Sequence, residues 1–142
     1  MPISARNRFD GIVTALGRGP INTEVELTLP GGDKLVAIIT SQSADALGLA
    51  LGTPASAYIK ASWVMLLAGQ DEVRFSARNQ LRGQVVQLDK GAVNSDVVVE
   101  LPGGSRIHAV ITHEAALELG LKPGAAATVL FKASHVILGV PT

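Results

Sequence analysis

The chain has 142 residues with 12 basic and 12 acidic side chains, so its formal net charge is zero. This balance disfavours nucleic acid as the main partner, because phosphate-binding surfaces usually carry a basic excess. There is no cysteine, hence no disulfide framework or thiolate metal site. No segment has the apolar length of a membrane span or the core of a signal peptide, so we expect a cytoplasmic protein.

Five segments favour β-strands, at residues 9–16, 21–29, 34–40, 55–61 and 64–68. In the second segment apolar and polar residues alternate, as in a half-buried strand, and the turn at 30–33 predicts a hairpin with the third. Thr40 begins a short helix that Gly48 ends. After a polar linker at 69–72 the same order begins again. Five strands with a helix between the third and the fourth are compatible with a small Greek-key barrel of the OB type.

The chain repeats itself at an offset of 72 residues (76 − 4) without a gap, and roughly two positions in five are identical. The matching segments include Ser4-Ala5-Arg6-Asn7 with Ser76-Ala77-Arg78-Asn79, Leu29-Pro30-Gly31-Gly32 with Leu101-Pro102-Gly103-Gly104, and Lys60-Ala61-Ser62 with Lys132-Ala133-Ser134. We therefore predict two domains, residues 2–69 and 73–142. Each is so small that tight association with its neighbour is expected.

Several polar residues are unchanged between the copies, although charged residues at other matched positions often differ. Asp10, for example, is matched by Arg82. The unchanged set in the first copy is Ser4, Arg6, Asn7, Thr40, Lys60 and Ser62. These are hydrogen-bond donors without a carboxylate among them. Together with a helix N-terminus they indicate a site for a fully deprotonated anion. Sulfate and molybdate both fit, whereas phosphate often retains a proton that would need an acceptor.

Catalysis and cation binding find no support in the repeated residues. The three histidines, at positions 108, 113 and 135, belong to the second copy alone. No kept serine has a kept histidine or acid near it in sequence, so we find no nucleophile and base. We expect no enzyme, no cofactor and no metal-cation site.

The repeated segments resemble the Mop domain: Ser-Ala-Arg-Asn opening a β unit, then Gly…Asn-x-Glu-Val, Leu-x-Gly-Gly, Ala-x-Ile-Thr-x-x-Ser, Leu-Gly-Leu and Lys-Ala. The resemblance covers the chain twice, and such a tandem pair is similar to the two-domain molbindins, cytoplasmic molybdate-binding proteins of the ModG type. It implies a mainly β fold of two OB-like five-stranded barrels. It also implies a homotrimer that forms a ring of six domains, and a role in molybdenum storage or homeostasis. Tungstate is an expected second ligand.

The resemblance further implies two kinds of molybdate site between domains. The first kind uses Ser4, Arg6, Thr40, Ser43, Lys60 and Ser62, with Ser76, Arg78, Thr112, Lys132 and Ser134 from the second copy. The second kind, near the threefold axis, uses Gly19, Ile21, Asn22 and Thr23, with Gly91, Val93, Asn94 and Ser95. Ala115 replaces Ser43 in the second copy, so the first-kind sites are expected to be inequivalent.

Three other functions remain open from the sequence. An OB-like nucleic-acid binder would need a basic groove with stacking aromatics, but the charge is neutral and no aromatic recurs as an aromatic. A sensor of a regulator would carry a DNA-binding domain before the first motif, and we expect none because the chain begins at that motif. A structural module, or one that binds another oxyanion such as sulfate, would use Arg6 and Lys60 to bridge subunits.

Overall fold

A computed structural model describes residues 3–69 and 73–142 and shows a mainly β chain, as expected. The strands are β1 (Asn7–Arg18), β2 (Asn22–Thr28), β3 (Lys34–Thr40), β4 (Pro54–Ile59), β5 (Met65–Ala68), β6 (Asn79–Lys90), β7 (Asn94–Glu100), β8 (Arg106–Thr112), β9 (Ala126–Phe131) and β10 (Ile137–Gly139). The helices are α1 (Ser41–Ala46) and α2 (His113–Glu118), with 3-10 turns at Ala61–Trp63 and Ala133–His135. None of the helices in these described ranges is long and apolar enough to cross a membrane.

The predicted hairpin and helix of the first repeat are confirmed. β2 pairs antiparallel with β3, from Asn22 opposite Thr40 to Thr28 opposite Lys34. The Thr40 hydroxyl then accepts a hydrogen bond from the Ser43 backbone N–H at 3.1 Å, which caps the first turn of α1. Past the end of α1, Gly48 has a φ of +65°, a left-handed conformation that glycine adopts without strain.

The last strand of each repeat belongs to the sheet of the other repeat. One sheet has the order β10-β4-β1-β2-β3 and the other has the order β5-β9-β6-β7-β8. Met65 therefore lies opposite Leu130, and Ile137 lies opposite Tyr58. Each sheet therefore has five strands, as expected, but its fifth strand comes from the other repeat.

The chain crosses to the other sheet at the 3-10 turns. The residue that follows the first turn, Val64, is extended (φ −86°, ψ 123°). Each 3-10 turn packs against the third strand of the opposite repeat, the first against β8 and the second against β3. The following strand is thereby delivered to the opposite sheet. Residues 70–72 of the predicted linker lie outside the described residues, and the domain limits 2–69 and 73–142 stay a prediction.

The two repeats share one aliphatic core. Its largest fully buried side chains come from both sheets: Val13, Val25, Leu27, Leu35, Ile59, Val64, Val85, Val97, Val99, Ile107, Val129 and Phe131. They form a single cluster with the other buried residues. Because burying one such side chain contributes about 1.5–3 kcal/mol, neither half can leave the other without a large loss.

The two Leu-Pro-Gly-Gly turns meet where the repeats touch. A Cβ atom on Gly31 would lie 2.1 Å from the carbonyl oxygen of Gly103, and one on Gly103 would lie 2.4 Å from Asp33 Oδ2. The backbone N–H of Gly103 donates to both carboxylate oxygens of Asp33, at 3.0 and 3.2 Å. Gly31 is therefore required both by its left-handed φ of +94° and by close approach between repeats, whereas Gly103 is required by close approach.

Candidate functional site

The asparagine of each Ser-Ala-Arg-Asn segment is a buried anchor between repeats. Asn7, 1% exposed, donates from Nδ2 to the carbonyl oxygen of His108 at 2.8 Å and accepts from its N–H at 2.7 Å. Asn79 makes the same two bonds to the backbone of Val36, at 2.7 and 2.8 Å. Both acceptor strands, β8 and β3, lie at sheet edges. The asparagine is thus kept for structure, and it fixes the donor segment of one repeat against the edge of the other.

One cavity brings together four of the predicted binding residues. Ser76, Arg78, Lys132 and Ser134 line a cavity of about 370 Å³. Its remaining walls are mostly apolar and come from both repeats: Ile38, Met65, Phe75, Ala77, Leu130 and Ala133. The cavity offers two cations and two hydroxyls, and all four of these residues are exposed to solvent in the single chain.

The matching cavity of the other repeat is incomplete by comparison. Ser4 and Lys60 line a cavity of about 320 Å³, whereas Arg6 and Ser62 lie outside it in the described chain. Trp63 packs against His135 there in a tilted arrangement, with ring centroids 4.6 Å apart, and Lys60 Nζ lies 5.6 Å from the centroid of the indole. The two rings occupy matched positions (135 − 63 = 72), so the pair packs across the boundary between repeats.

Carboxylates hold both kept arginines, which the sequence interpretation missed. Arg6 Nη2 donates to Asp96 Oδ2 at 2.5 Å, and Arg78 forms an ion pair with Glu24. Each pair joins one repeat to the other. Both kept arginines therefore have a carboxylate partner, although no carboxylate is itself unchanged between the copies.

A signal for these carboxylates was present in the sequence. Positions 24 and 96 (96 − 24 = 72) are the only matched positions at which both copies carry an acid. Because the acid is glutamate in one copy and aspartate in the other, a search for identical residues passes over them.

The predicted hydroxyls at the helix N-termini are used locally. Thr40 donates to Ser43 Oγ at 2.7 Å and also caps α1, while Thr112 accepts from the N–H of Ala115 at 3.1 Å. In the part of the chain that the structure describes, these three hydroxyls line neither cavity. One chain therefore leaves Thr40, Ser43 and Thr112 apart from the other predicted first-kind residues.

The predicted second-kind residues form the turns between the first and second strands of each repeat. Gly19 donates its N–H to the carbonyl of Asn22 at 3.0 Å, and Gly91 does the same to Asn94 at 2.9 Å. The apolar tips of the two turns, Ile21 and Val93, are 75% and 74% exposed. Each turn thus presents a large apolar side chain to solvent at a matched position.

The hydroxyl residues that follow these turns are buried and differ between repeats. Thr23 Oγ1 shares a hydrogen bond with Ser41 Oγ at 2.8 Å. In the second repeat His113 replaces Ser41, and neither Ser95 Oγ nor His113 Nδ1 has a hydrogen-bond partner within the described residues. Thr23 and Ser95 are each 1% exposed, so their side chains face the interior.

A further group of charged residues lies away from both cavities. The hydroxyl of Ser56 donates to Asp10 Oδ1 at 2.5 Å, and Arg8 Nε donates to the same oxygen at 3.1 Å. These bonds lower the pKa of Asp10, with Ser56 as the largest cause, and the Asp10 partner raises the pKa of Arg8. Within residues 3–69 and 73–142, no cluster of three or more histidines and acids is placed to hold a metal ion.

The geometry defines a class of protein: tandem OB-like repeats that exchange their last strands and gather repeated donors beside their boundary. The chain belongs to the TOBE domain family, whose model matches residues 3–66 and 76–138. The Mop-type resemblance of the sequence is thereby confirmed, as is the mainly β fold.

The names of several relatives refer to molybdenum. The chain is 50% identical over 141 residues to the molybdenum-pterin-binding protein MopA of Rhodobacter capsulatus, covering 99% of this chain and 53% of MopA. It is 43% identical over 140 residues to the molybdenum transport protein ModE of Azotobacter vinelandii, covering 99% of this chain and 52% of ModE. It thus spans about half the length of these relatives.

A solved structure matches over the full length. The cytoplasmic molybdate-binding protein ModG, crystallised with molybdate bound, superposes with a TM-score of 0.95 at 52% identity. The match covers 99% of this chain and 100% of that one.

Proposed function

We propose that this chain binds molybdate where its repeats meet and that it serves intracellular molybdenum storage or homeostasis. One observation carries the proposal: Ser76, Arg78, Lys132 and Ser134 line one cavity, in a chain that matches molybdate-bound ModG over its whole length. On this proposal the protein is a cytoplasmic binding protein and not an enzyme. Molybdate is its ligand, tungstate binds as well, and no nucleic acid or membrane partner is involved.

The chemistry of the cavity suits a tetrahedral dianion. Guanidinium, ammonium and hydroxyl groups donate hydrogen bonds, and a fully deprotonated oxyanion can only accept them. Bonds to charged donors are stronger than neutral ones, and a neighbouring copy that covers the exposed walls Met65 and Phe75 would strengthen them further by excluding water.

We propose that other subunits complete each site. Thr40, Ser43 and Thr112 remain outside the cavities of a single chain, and their free faces are available to a neighbouring copy. The exposed Ile21 and Val93 support contact between copies near the second kind of site. A homotrimer with six repeats would bring these hydroxyls to a neighbouring copy and would also cover the exposed turns. Anion binding should then stabilise the trimer by linkage.

Titration calorimetry of the purified protein with molybdate tests the proposal, first alone and then with equimolar sulfate. Lys132→Met removes one charge while keeping most of the side-chain volume. Because a hydrogen bond to a charged group contributes about 1.5–3 kcal/mol, we expect affinity at the affected sites to fall roughly 10- to 100-fold. Native mass spectrometry should show an unchanged trimer.

The matched control is Lys122→Met, an exposed lysine that stands opposite Ala50 in the other copy. Its affinity should remain within about twofold of the wild-type value, as for a surface substitution. Wild-type affinity in Lys132→Met, or full displacement of molybdate by equimolar sulfate, would contradict the proposal.

A further inference from the structure

Two acidic residues of opposite repeats stand against the kept arginines. Glu24 pairs with Arg78 and Asp96 pairs with Arg6, so the two ion pairs are related by the repeat. Charge at most other exposed positions differs between the copies, as at Asp10 and Arg82. Retention of an acid at 24 and 96 therefore needs a reason beyond surface solvation.

Arg78 lies between two concave surfaces of opposite character. On one side it lines the cavity of Ser76, Lys132 and Ser134. On the other side it lines a separate concavity of about 330 Å³ together with Glu24 and Glu26. The guanidinium has five N–H donors, so it can hold the carboxylate of Glu24 and still present donors to a ligand in the first cavity.

We infer that Glu24, beside the cavity-lining Arg78, is a resident counter-anion of the proposed oxyanion site, and that Asp96 has the same role by the repeat through the predicted binding residue Arg6. Both carboxylates stabilise the unliganded protein and weaken anion binding. The inference rests on the proposed function and adds a residue pair that sets the affinity. Without an anion, Arg78 and Lys132 are two cations on one cavity, and the nearby carboxylate offsets their repulsion. When a dianion enters, the same carboxylate repels it.

The neutral isosteres Glu24→Gln and Asp96→Asn separate charge from position. Their amide oxygen still accepts a hydrogen bond from the arginine, so the guanidinium keeps its place. A unit charge acting on a dianion at about 8 Å in water corresponds to roughly a fivefold change in affinity. We therefore expect molybdate to bind about three- to tenfold more tightly to each single variant, with a smaller gain at high salt.

The experiment measures molybdate affinity by calorimetry and the melting temperature without anion, for both single variants and the double variant. The matched control is Glu100→Gln. Glu100 pairs with Arg106 at 3.0 Å within one repeat, and its side chain is 39% exposed against 37% for Glu24. The control changes the net charge equally, but its partner Arg106 does not line the cavity of Lys132, whereas Arg78, the partner of Glu24, does. Its affinity should change by less than twofold.

Tighter molybdate binding together with a lower melting temperature of the anion-free single variants supports the inference. If wild type binds molybdate and the variants bind it equally or more weakly, the carboxylates only position the arginines and the inference is overturned. An equal gain in Glu100→Gln would also overturn it, because net charge alone would explain the effect. If wild type binds no molybdate, the proposed function itself fails. The single variants keep the test valid if the double variant does not fold.

Discussion

Replacing Asn7 by alanine should destabilise the protein far more than the loss of one surface amide. The side chain is buried and makes two hydrogen bonds to the backbone of His108, at 2.7 and 2.8 Å. Alanine would leave the N–H and the C=O of His108 without these partners on the edge of the opposite sheet. The change therefore removes a connection between repeats as well as two bonds.

The size of the effect follows from the groups left unpaired. A buried donor or acceptor without a partner costs about 1–3 kcal/mol, and two such groups give about 2–6 kcal/mol. His108 is only half-buried, so water can reach part of this region and the lower half of that range applies. We expect a loss of about 2–4 kcal/mol. For a chain of this size that corresponds to a fall in melting temperature of roughly 6–15 °C.

Urea and thermal unfolding without added anion measure this loss. Asn94→Ala, at an exposed asparagine that begins β7, is the control and should stay within about 0.5 kcal/mol of wild type. Asn79→Ala should lose about as much as Asn7→Ala, since Asn79 makes the equivalent bonds to Val36. Equal stability of Asn7→Ala and the control would refute the role of this asparagine as an anchor.

Three further outcomes test the fold and its electrostatics. Gly31→Ala should be about 1–3 kcal/mol less stable than Gly32→Ala, because both residues have a positive φ but only Gly31 approaches Gly103. Equal losses of stability in urea unfolding would rule out that contact. Each repeat expressed alone should fail to give a folded monomer, because each sheet needs a strand from the other repeat. The two repeats mixed together should recover the native circular dichroism spectrum as a 1:1 complex. A folded monomeric repeat in size-exclusion chromatography would disprove the exchange. Ser56→Ala should raise the pKa of Asp10 toward its ordinary value of 3.8, followed by NMR titration. Because the pKa of Asp10 is lower in the folded protein, its interactions stabilise the fold at pH values above the pKa of the unfolded chain. This stability is lost as the pH falls through the folded pKa. An unchanged pKa of Asp10 in Ser56→Ala would exclude Ser56 as the main cause.

Local structure was largely predictable because it depends on local chemistry. The alternation around Val25 and Leu27 gave β2, the turn at 30–33 gave the hairpin, and Thr40 with Gly48 gave the ends of α1. Each of these features is decided by a few neighbouring residues, which a single sequence contains.

Long-range structure was less accessible because the two copies are so alike. β5 and β10 have similar sequences, and nothing local says which sheet each one joins. The exchange depends on how the 3-10 turns pack against the opposite repeat, a contact between residues far apart in sequence. Similarly, the pairing of Arg78 with Glu24 crosses the repeat boundary, and Asn7 pairs with a backbone 101 residues away.

The structure brings only some of the predicted binding residues together, for a physical reason. Ser76, Arg78, Lys132 and Ser134 share a cavity because the start of β6 pairs with the end of β9, with Asn79 opposite Phe131. Thr40 and Thr112 begin helices at the ends of β3 and β8, and a single chain does not bring them into the same cavities. Their contribution to a site therefore remains part of the proposal.

The most direct test of the central claim is an anomalous difference map at the molybdenum absorption edge, from crystals grown with molybdate. The account predicts a peak in the cavity lined by Ser76, Arg78, Lys132 and Ser134, within hydrogen-bonding distance of Lys132 Nζ. A well-ordered cavity without a peak, in crystals that show molybdenum elsewhere on the protein, would contradict it.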